Sequence, residues 1–331
     1  MAGHSTATRL QDLISHLDPQ RPVMVQAHDF PDHDAVATGY ALAELLRAKE
    51  FNVTLCYGGS IHSESLRDAI TALGIVISSV AEVDWQGHVP QLVVVDGFVG
   101  NGNIRGVEAD LVGVIDHHVP PRAAECPFAD IRSDYGACST ILCEYYQEEG
   151  LEPTDAVATA LLMGVMMDTA FMTRAVSPVD LSAFTLLFQN GDWQTAARLL
   201  RNSLSLSDLA AFRQAIEACL VARDFAYIAL PGEFTPEVMA LIADFFLGLR
   251  EIHFVVVVSG DRDEHRLSVR SEDHQRPCDV VIQHVLAGIG AGGGHMHMGG
   301  GSIPRGLYPG DEGLRKRFLE AIEQSQEQKS E

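Results

Sequence analysis

The chain has 331 residues and a hydrophobic fraction of 47%, a composition that suits a globular protein with two packed cores. Its formal net charge of −22 argues against non-specific binding to long nucleic acids, which are held mainly by basic patches. Small phosphate substrates stay open, because cations held by acidic side chains can replace lysine and arginine.

In chain order, "MAGHSTATRLQDLISHLDPQRP" carries no signal-peptide pattern, so a cytoplasmic location is expected. "PVMVQAH" reads as a buried strand and "DAVATGYALAELLRAKE" as the amphipathic helix that follows it. "NVTLCY" is the next strand and "SESLRDAITALG" the next helix; "QLVVVDG" and "LVGVIDHH" are two more apolar runs, each ending in acid. Near-continuous apolar strands separated by helices predict a parallel sheet covered on both faces, a doubly wound α/β domain over residues 1–185. Residues 186–220 read as a strand-free helical connector. A smaller α/β domain is expected over 221–331, with "FAYIAL", "EIHFVVVVSG" and "EHRLSVRS" as strands. There the helix "PCDVVIQHVLAGIG" leads into the glycine-rich "GAGGGHMHMGGGS", and a polar helix ends the chain. No internal repeat is found. The longest apolar stretches fall short of the roughly 20 residues of a membrane helix, so no membrane partner is expected. The cysteines (Cys56, Cys126, Cys138, Cys143, Cys219, Cys278) show no CxxC pair and fit neither a zinc site nor a disulfide framework.

In parallel sheets ligands bind beyond the carboxyl ends of the strands. There this sequence gathers His28, Asp32 and Asp34, then Asp96, then Asp116, His117 and His118; Asp168 ends a later apolar run, "LLMGVMMD". Buried carboxylates are costly unless paired or coordinated, and few basic residues stand near them in sequence. Oxygen ligands mixed with imidazole, without thiolate, suit Mn(II) or Mg(II), and one carboxylate can bridge two cations.

"HDFPDHD", "VVVDG", "DHH" and "MMDTAF" resemble, in order and spacing, the four motifs of the DHH phosphoesterase superfamily. "LSVRS" and "GAGGGHMHMGGG" are similar to the signatures of its DHH-associated C-terminal domain. Within the superfamily the pattern resembles the bacterial and archaeal oligoribonuclease (nanoRNase) and 3′-phosphoadenosine 5′-phosphate (pAp) phosphatase proteins. The resemblance implies two Mn(II) ions, with Mg(II) or Co(II) as substitutes. His28, Asp32 and Asp96 would hold one; Asp34, Asp96, His117 and Asp168 the other, with Asp96 as bridge. It implies a water or hydroxide between the cations as nucleophile, His118 facing the scissile phosphate, and Asp116 orienting an imidazole. From the second domain Arg270, Ser271 and the loop Gly292, Gly293, Gly294 and His295 would hold the far end of a short substrate. The implied activity is hydrolysis of short single-stranded oligonucleotides or pAp, and a homodimer is implied.

The sequence departs from the family pattern at His33, where many relatives have glycine, and at Met296, His297, Met298 and Gly299. His33 and Asp29 read as solvent-exposed neighbours of the site, His253 and His284 as structural, and Arg132 and Arg174 as candidate substrate contacts. The glycine-rich segment reads as a phosphate-cradling loop rather than a merely flexible one. Two other readings compete. One is a cyclic- or linear-dinucleotide phosphodiesterase or a polyphosphate or pyrophosphate hydrolase. The other is a non-catalytic nucleotide-binding member.

Overall fold

The computed structural model describes residues 8–99, 104, 108–119, 123–201, 204–260, 263–294 and 296–327. The chain divides into two compact units, residues 1–203 and 204–331.

The first unit runs α1 (Arg9–Ser15), β1 (Val23–Ala27), α2 (His33–Ala48), β2 (Val53–Tyr57), α3 (Glu64–Ala72), β3 (Ser78–Ser79), β4 (Gln91–Val95), β5 (Asp110–Asp116) and β6 (Phe128–Ile131). Four helices follow: α4 (Cys138–Glu148), α5 (Asp155–Asp168), α6 (Pro178–Asn190) and α7 (Trp193–Arg201). The strands form one six-stranded parallel sheet in the order β3-β2-β1-β4-β5-β6. The chain runs outward from β1 in one direction and from β4 in the other. The crevice where strand order reverses therefore lies between the C-terminal ends of these two strands, where open α/β sheets bind ligands.

Side-chain alternation gives the sheet two apolar faces. Val23, Val25, Val93 and Val95 pack under the helices, in a core that also takes Leu42 and Leu46 of α2 and Leu161 and Leu162 of α5. Met24, Leu92, Val94 and Val114 face a smaller layer closed by Phe98, Ile104 and, at its rim, Trp85. Among the described residues that second layer contains no α-helix, only the 3-10 turn Val80–Glu82, which is thinner cover than the expected helices on both faces. Gly39 lets α2 lie close on the sheet: a methyl there would stand 2.6 Å from Leu55 Cδ1.

The second unit contains α8 (Leu209–Ala218), β7 (Cys219–Ala222), β8 (Phe225–Leu230), α9 (Pro236–Leu247), β9 (Phe254–Gly260), β10 (Glu264–Ser271), α10 (Cys278–Leu286), β11 (Ala291–Gly294), β12 (Met298–Pro304) and α11 (Asp311–Glu327). Its six strands pair as β11-β12-β10-β9-β8-β7, antiparallel except for β8 with β9. One face carries α10 and α11 over Phe225, Phe254, Val256 and Val269; the other carries α8 and α9 over Ile228, Val255 and Val257.

The stretch 186–220, read as a strand-free helical connector, is divided between the two cores, and its last two residues open β7. Ala196, Leu199 and Leu200 of α7 are buried in the first unit, while Ala211 and Ala215 of α8 are buried in the second. Each helix has an apolar stripe, and a stripe is stable only against a core. The glycine-rich segment, expected as a loop, is largely the hairpin β11–β12. Methyls at Gly292 and Gly299 would stand 2.6 and 2.4 Å from Ile282, so these glycines admit α10 against the sheet. Among the described residues no helix is long and apolar enough to cross a membrane.

Candidate metal centre

The crevice between β1 and β4 is where the first unit's acids and imidazoles meet. His28 follows β1 directly. Asp32 is the N-cap of α2, its Oδ1 accepting the amides of Asp34 and Ala35 at 3.0 Å each. That leaves Oδ2 turned back toward His28 Nε2, 4.0 Å away. Asp96, the residue after β4, has φ +51°, a left-handed conformation that aspartate tolerates better than most residues and that aims its carboxylate into the crevice. Its two oxygens face different partners. Oδ2 lies 3.9 Å from His28 Nε2, and Oδ1 lies 3.4 Å from His117 Nε2 and 3.6 Å from His118 Nδ1.

Asp34, on the first turn of α2, is fully buried and caps a different helix. Its Oδ2 accepts the amide of Cys138 at 2.6 Å and its Oδ1 that of Ser139 at 2.9 Å, at the start of α4, whose own N-cap Ala137 has no side-chain acceptor. Asp168, the last residue of α5, brings its Oδ2 within 3.2 Å of His117 Nε2. After it Ala170, Phe171 and Met172 form a left-handed turn, with φ +47°, +57° and +62°. Such residues cost roughly 1–2 kcal/mol each, so the surrounding bonds must hold them. Met172 N donates to Thr169 Oγ1 at 3.1 Å and Phe171 N to the Met166 carbonyl at 2.6 Å.

The ligand atoms fall into three interlocking groups, each within 4.8 Å: His28–Asp32–Asp96, Asp34–His117–Asp168 and Asp96–His117–His118. All eight first-unit residues singled out in sequence are thus found together, with Asp116 held against His118. Asp116 Oδ1 stands 2.7 Å from His118 Nδ1, and His117 Nδ1 stands 3.2 Å from the Tyr135 carbonyl. A carbonyl only accepts, so His117 carries its proton on Nδ1 and turns Nε2 into the cluster.

The electrostatics fit a cation. Burial, then the charge of Asp34 and Asp32, raises the Asp96 carboxyl well above its ordinary range. Burial and then Asp34 push Asp168 up to about 7, and burial raises Asp34 as well. For His117 burial opposes charge, but Asp168 and Asp96 outweigh it and the imidazole is raised well above 6.5. Burial lowers His28. Asp96 Oδ1 and Asp116 Oδ2 are buried and accept no hydrogen bond. Carboxylates that repel one another, out of water and with acceptor capacity unspent, are the donor set of a hard divalent cation.

Two sequence expectations change here. Asp29 and His33 are buried, 3% and 4% exposed, because the segment after β2 folds over them. His33 Nε2 meets Ser65 Oγ at 3.3 Å, and burial brings its imidazole down to about 4. Of the two arginines read as candidate substrate contacts, Arg132 is engaged by Asp130 at 2.8 and 2.9 Å and by Glu144. In the second unit Arg270 is 8% exposed, and its Nε donates to Asp244 Oδ1 at 2.7 Å. Ser271 Oγ bonds locally with Asp273. Gly293 has open space where a side chain would stand, Gly294 has φ +153°, and His295 lies outside the described residues.

Sequence reasoning missed Asp180. It is fully buried on α6; Oδ2 accepts from Gly136 N (2.9 Å), Ser177 N (2.7 Å) and Ser177 Oγ (2.6 Å), and Oδ1 from Thr140 Oγ1 (2.6 Å). It thereby fixes the segment whose Tyr135 carbonyl orients His117 and whose helix start holds Asp34. The only sequence signal was the Ser-x-x-Asp capping box of "SPVD", which marks a helix start and says nothing of burial.

Residues 22–165 match the model of the DHH family, N-terminal domain. An uncharacterized protein of Methanocaldococcus jannaschii is 26% identical over 309 residues, 92% of this chain and 63% of that protein. A probable manganese-dependent inorganic pyrophosphatase of Streptococcus pyogenes is 28% identical over 161 residues, 48% of this chain and 51% of the relative. The chain thus spans 63% and 51% of the lengths of these two relatives. Among solved structures, the fold is similar to an exopolyphosphatase-related protein from Bacteroides fragilis (TM-score 0.76, 19% identity, 98% of each chain). It is also similar to RecJ from Thermus thermophilus in complex with Mn2+ (TM-score 0.58, 13% identity, 96% of this chain and 54% of that chain). At these identities the likeness concerns the fold alone.

Proposed function

From the premise that residues 22–165 are a DHH-family N-terminal domain, we propose that this chain is a divalent-cation-dependent phosphoesterase acting on short oligonucleotides and pAp. The observation that carries the reading is Asp96: one oxygen turned to His28, the other to His117 and His118, at the crevice of a parallel sheet. In this proposal His28, Asp32 and Asp96 hold one Mn(II), and Asp34, Asp96, His117 and Asp168 hold a second. When bound, such cations polarise a phosphoryl oxygen and make water acidic enough to attack near neutral pH.

The chain's own residues supply the rest. With Nδ1–H committed to Asp116, His118 exchanges protons through Nε2. Protonated, it donates to a phosphoryl oxygen or the departing oxygen, and the Asp116 carboxylate stabilises that imidazolium. Its side chain is 38% exposed, so substrate can reach it. In the second unit Arg270, Ser271 and Gly292–Gly294 are the candidate anion contacts, together with His295. The acidic surface favours small substrates over polymers.

The test is hydrolysis of a 5′-labelled RNA series from dimer to 24-mer, of pAp and of inorganic pyrophosphate, in Mn(II) and in EDTA. The proposal expects cation-dependent cleavage of the shortest RNAs and pAp, far faster than of the 24-mer, and its loss in Asp96→Ala. No turnover in Mn(II) would end the enzyme reading, and equal rates for dimer and 24-mer would end the short-substrate reading. Turnover of pyrophosphate alone would replace it with the second reading, which the streptococcal relative motivates.

A further inference from the structure

The turn between β1 and α2, which carries His28 and Asp32 of the cluster, also carries an exposed aromatic residue between them. His28 and Asp32 flank it with their side chains 4.0 Å apart, and Phe30 stands at the apex. Its Cα is two peptide units from each, hence within about 8 Å of both. Phe30 is 55% exposed although Asp29 beside it is 3% exposed and Pro31 is buried.

A single exposed phenylalanine is ordinary. This one has a ring partner. Its ring packs on His62 with centroids 5.4 Å apart and planes 34° from parallel, and His62 Nε2 is tied to Ser60 Oγ at 2.9 Å. Ser60 N donates to the Asp29 carbonyl at 3.1 Å. Gly58 and Gly59 lie so close to Asp29 that a methyl on either would stand 2.0 or 2.2 Å from its oxygens. Two loops are therefore stitched together at a turn that leaves an aromatic residue in water and that also supplies His28 and Asp32 to the cluster.

We infer that Phe30, braced by His62, stacks on the nucleobase of the nucleotide whose phosphate sits at the metal centre. The inference rests on the proposed phosphoesterase reading and deepens it. It makes the substrate class nucleotides of any base, since every base offers a π-face to a ring without hydrogen-bonding groups. It separates them from inorganic pyrophosphate and polyphosphate, which have nothing to stack.

Two measurements test it. Base–aromatic stacking is worth about 1–3 kcal/mol by alanine substitution, so Phe30→Ala should lower kcat/KM for a dinucleotide on the order of 10- to 100-fold, mainly by raising KM. The ratio of dinucleotide to pyrophosphate turnover should fall with it. Phe30→Leu, which keeps an apolar side chain without a π-face, should resemble Phe30→Ala, and Phe30→Tyr should resemble the native chain. In the second measurement, Phe30→Trp in Mn(II) is titrated with adenosine 5′-monophosphate and with inorganic phosphate, the native chain serving as blank for its own tryptophans. Quenching by the nucleotide and not by phosphate is expected. Unchanged dinucleotide kinetics in folded Phe30→Ala, or equal responses to nucleotide and phosphate, would overturn the inference. If the native chain hydrolyses no substrate, the phosphoesterase reading falls and the quenching arm alone decides whether Phe30 stacks on a base.

Discussion

Replacing Asp168 by asparagine should stabilise the metal-free protein while removing a proposed cation ligand. Asp168 has its pKa pushed from 3.8 up to about 7 by burial, then by Asp34, with a side chain only 18% exposed. It also sits at the negative end of α5, which disfavours a carboxylate. The folded pKa is raised, so stability is fully present below the unfolded value of 3.8 and is lost as pH rises through about 7. Relative to a group that never ionises, the raised pKa costs about 4 kcal/mol at pH 8 and about 2 kcal/mol at pH 5, where the folded carboxyl is neutral and the unfolded one is ionised. Asparagine mimics the neutral acid at every pH, so Asp168→Asn should recover roughly those amounts. At about 2–4 °C per kcal/mol for a unit of this size, the melting point at pH 8 rises by roughly 8–16 °C. The assay is thermal melting in EDTA at both pH values, repeated in Mn(II). In Mn(II) the native chain gains stability by mass action and the variant gains much less. A variant less stable than the native chain at pH 8 in EDTA, or equally stabilised at both pH values, would refute the reasoning.

Asp180→Asn should weaken Mn(II) binding about tenfold, because an amide nitrogen replaces an acceptor that meets only donors and the Tyr135 carbonyl loses its anchor. Calorimetric titration and the ring 15N shifts of His117 check it; native affinity with unshifted resonances would refute the positioning role. Gly164→Ala lies in the interior of α5, where alanine ordinarily gains about 1 kcal/mol. Here the new methyl would stand 2.2 Å from Ser139 Oγ and 2.6 Å from Asp34 Oδ1, so the variant should lose stability and Mn(II) affinity, and a more stable variant would contradict this packing. Mn(II) affinity of the native chain should rise from pH 6 to pH 8, because raised carboxyls at Asp34, Asp96 and Asp168 and a raised imidazole at His117 must release protons to bind it. A pH-independent titration would argue against these ligands.

The first-unit strands were legible because β1, β4 and β5 are buried runs that end in ionisable residues, a pattern with few structural explanations. The ligand candidates followed from their place at strand ends, and Asp168, which ends a helix, followed from its apolar run. Burial imposed from a distance was not legible. Asp29 and His33 look like surface neighbours of a site, yet the loop after β2 covers both. Asp180 looks like an ordinary helix cap, yet it is the buried acceptor for four groups. The hairpin β11–β12 was hidden for a different reason. Glycine has poor strand propensity, and only the approach of α10 explains why side chains are missing there. The split of residues 186–220 between two cores likewise depends on partners that a helical periodicity does not name.

The most direct measurement is a crystal structure of the chain soaked in Mn(II), with anomalous difference density collected at the manganese edge. The account predicts two peaks per chain, one among His28, Asp32 and Asp96, the other among Asp34, Asp96, His117 and Asp168. Peaks elsewhere, or none at these side chains when Mn(II) is shown to support turnover, would contradict it.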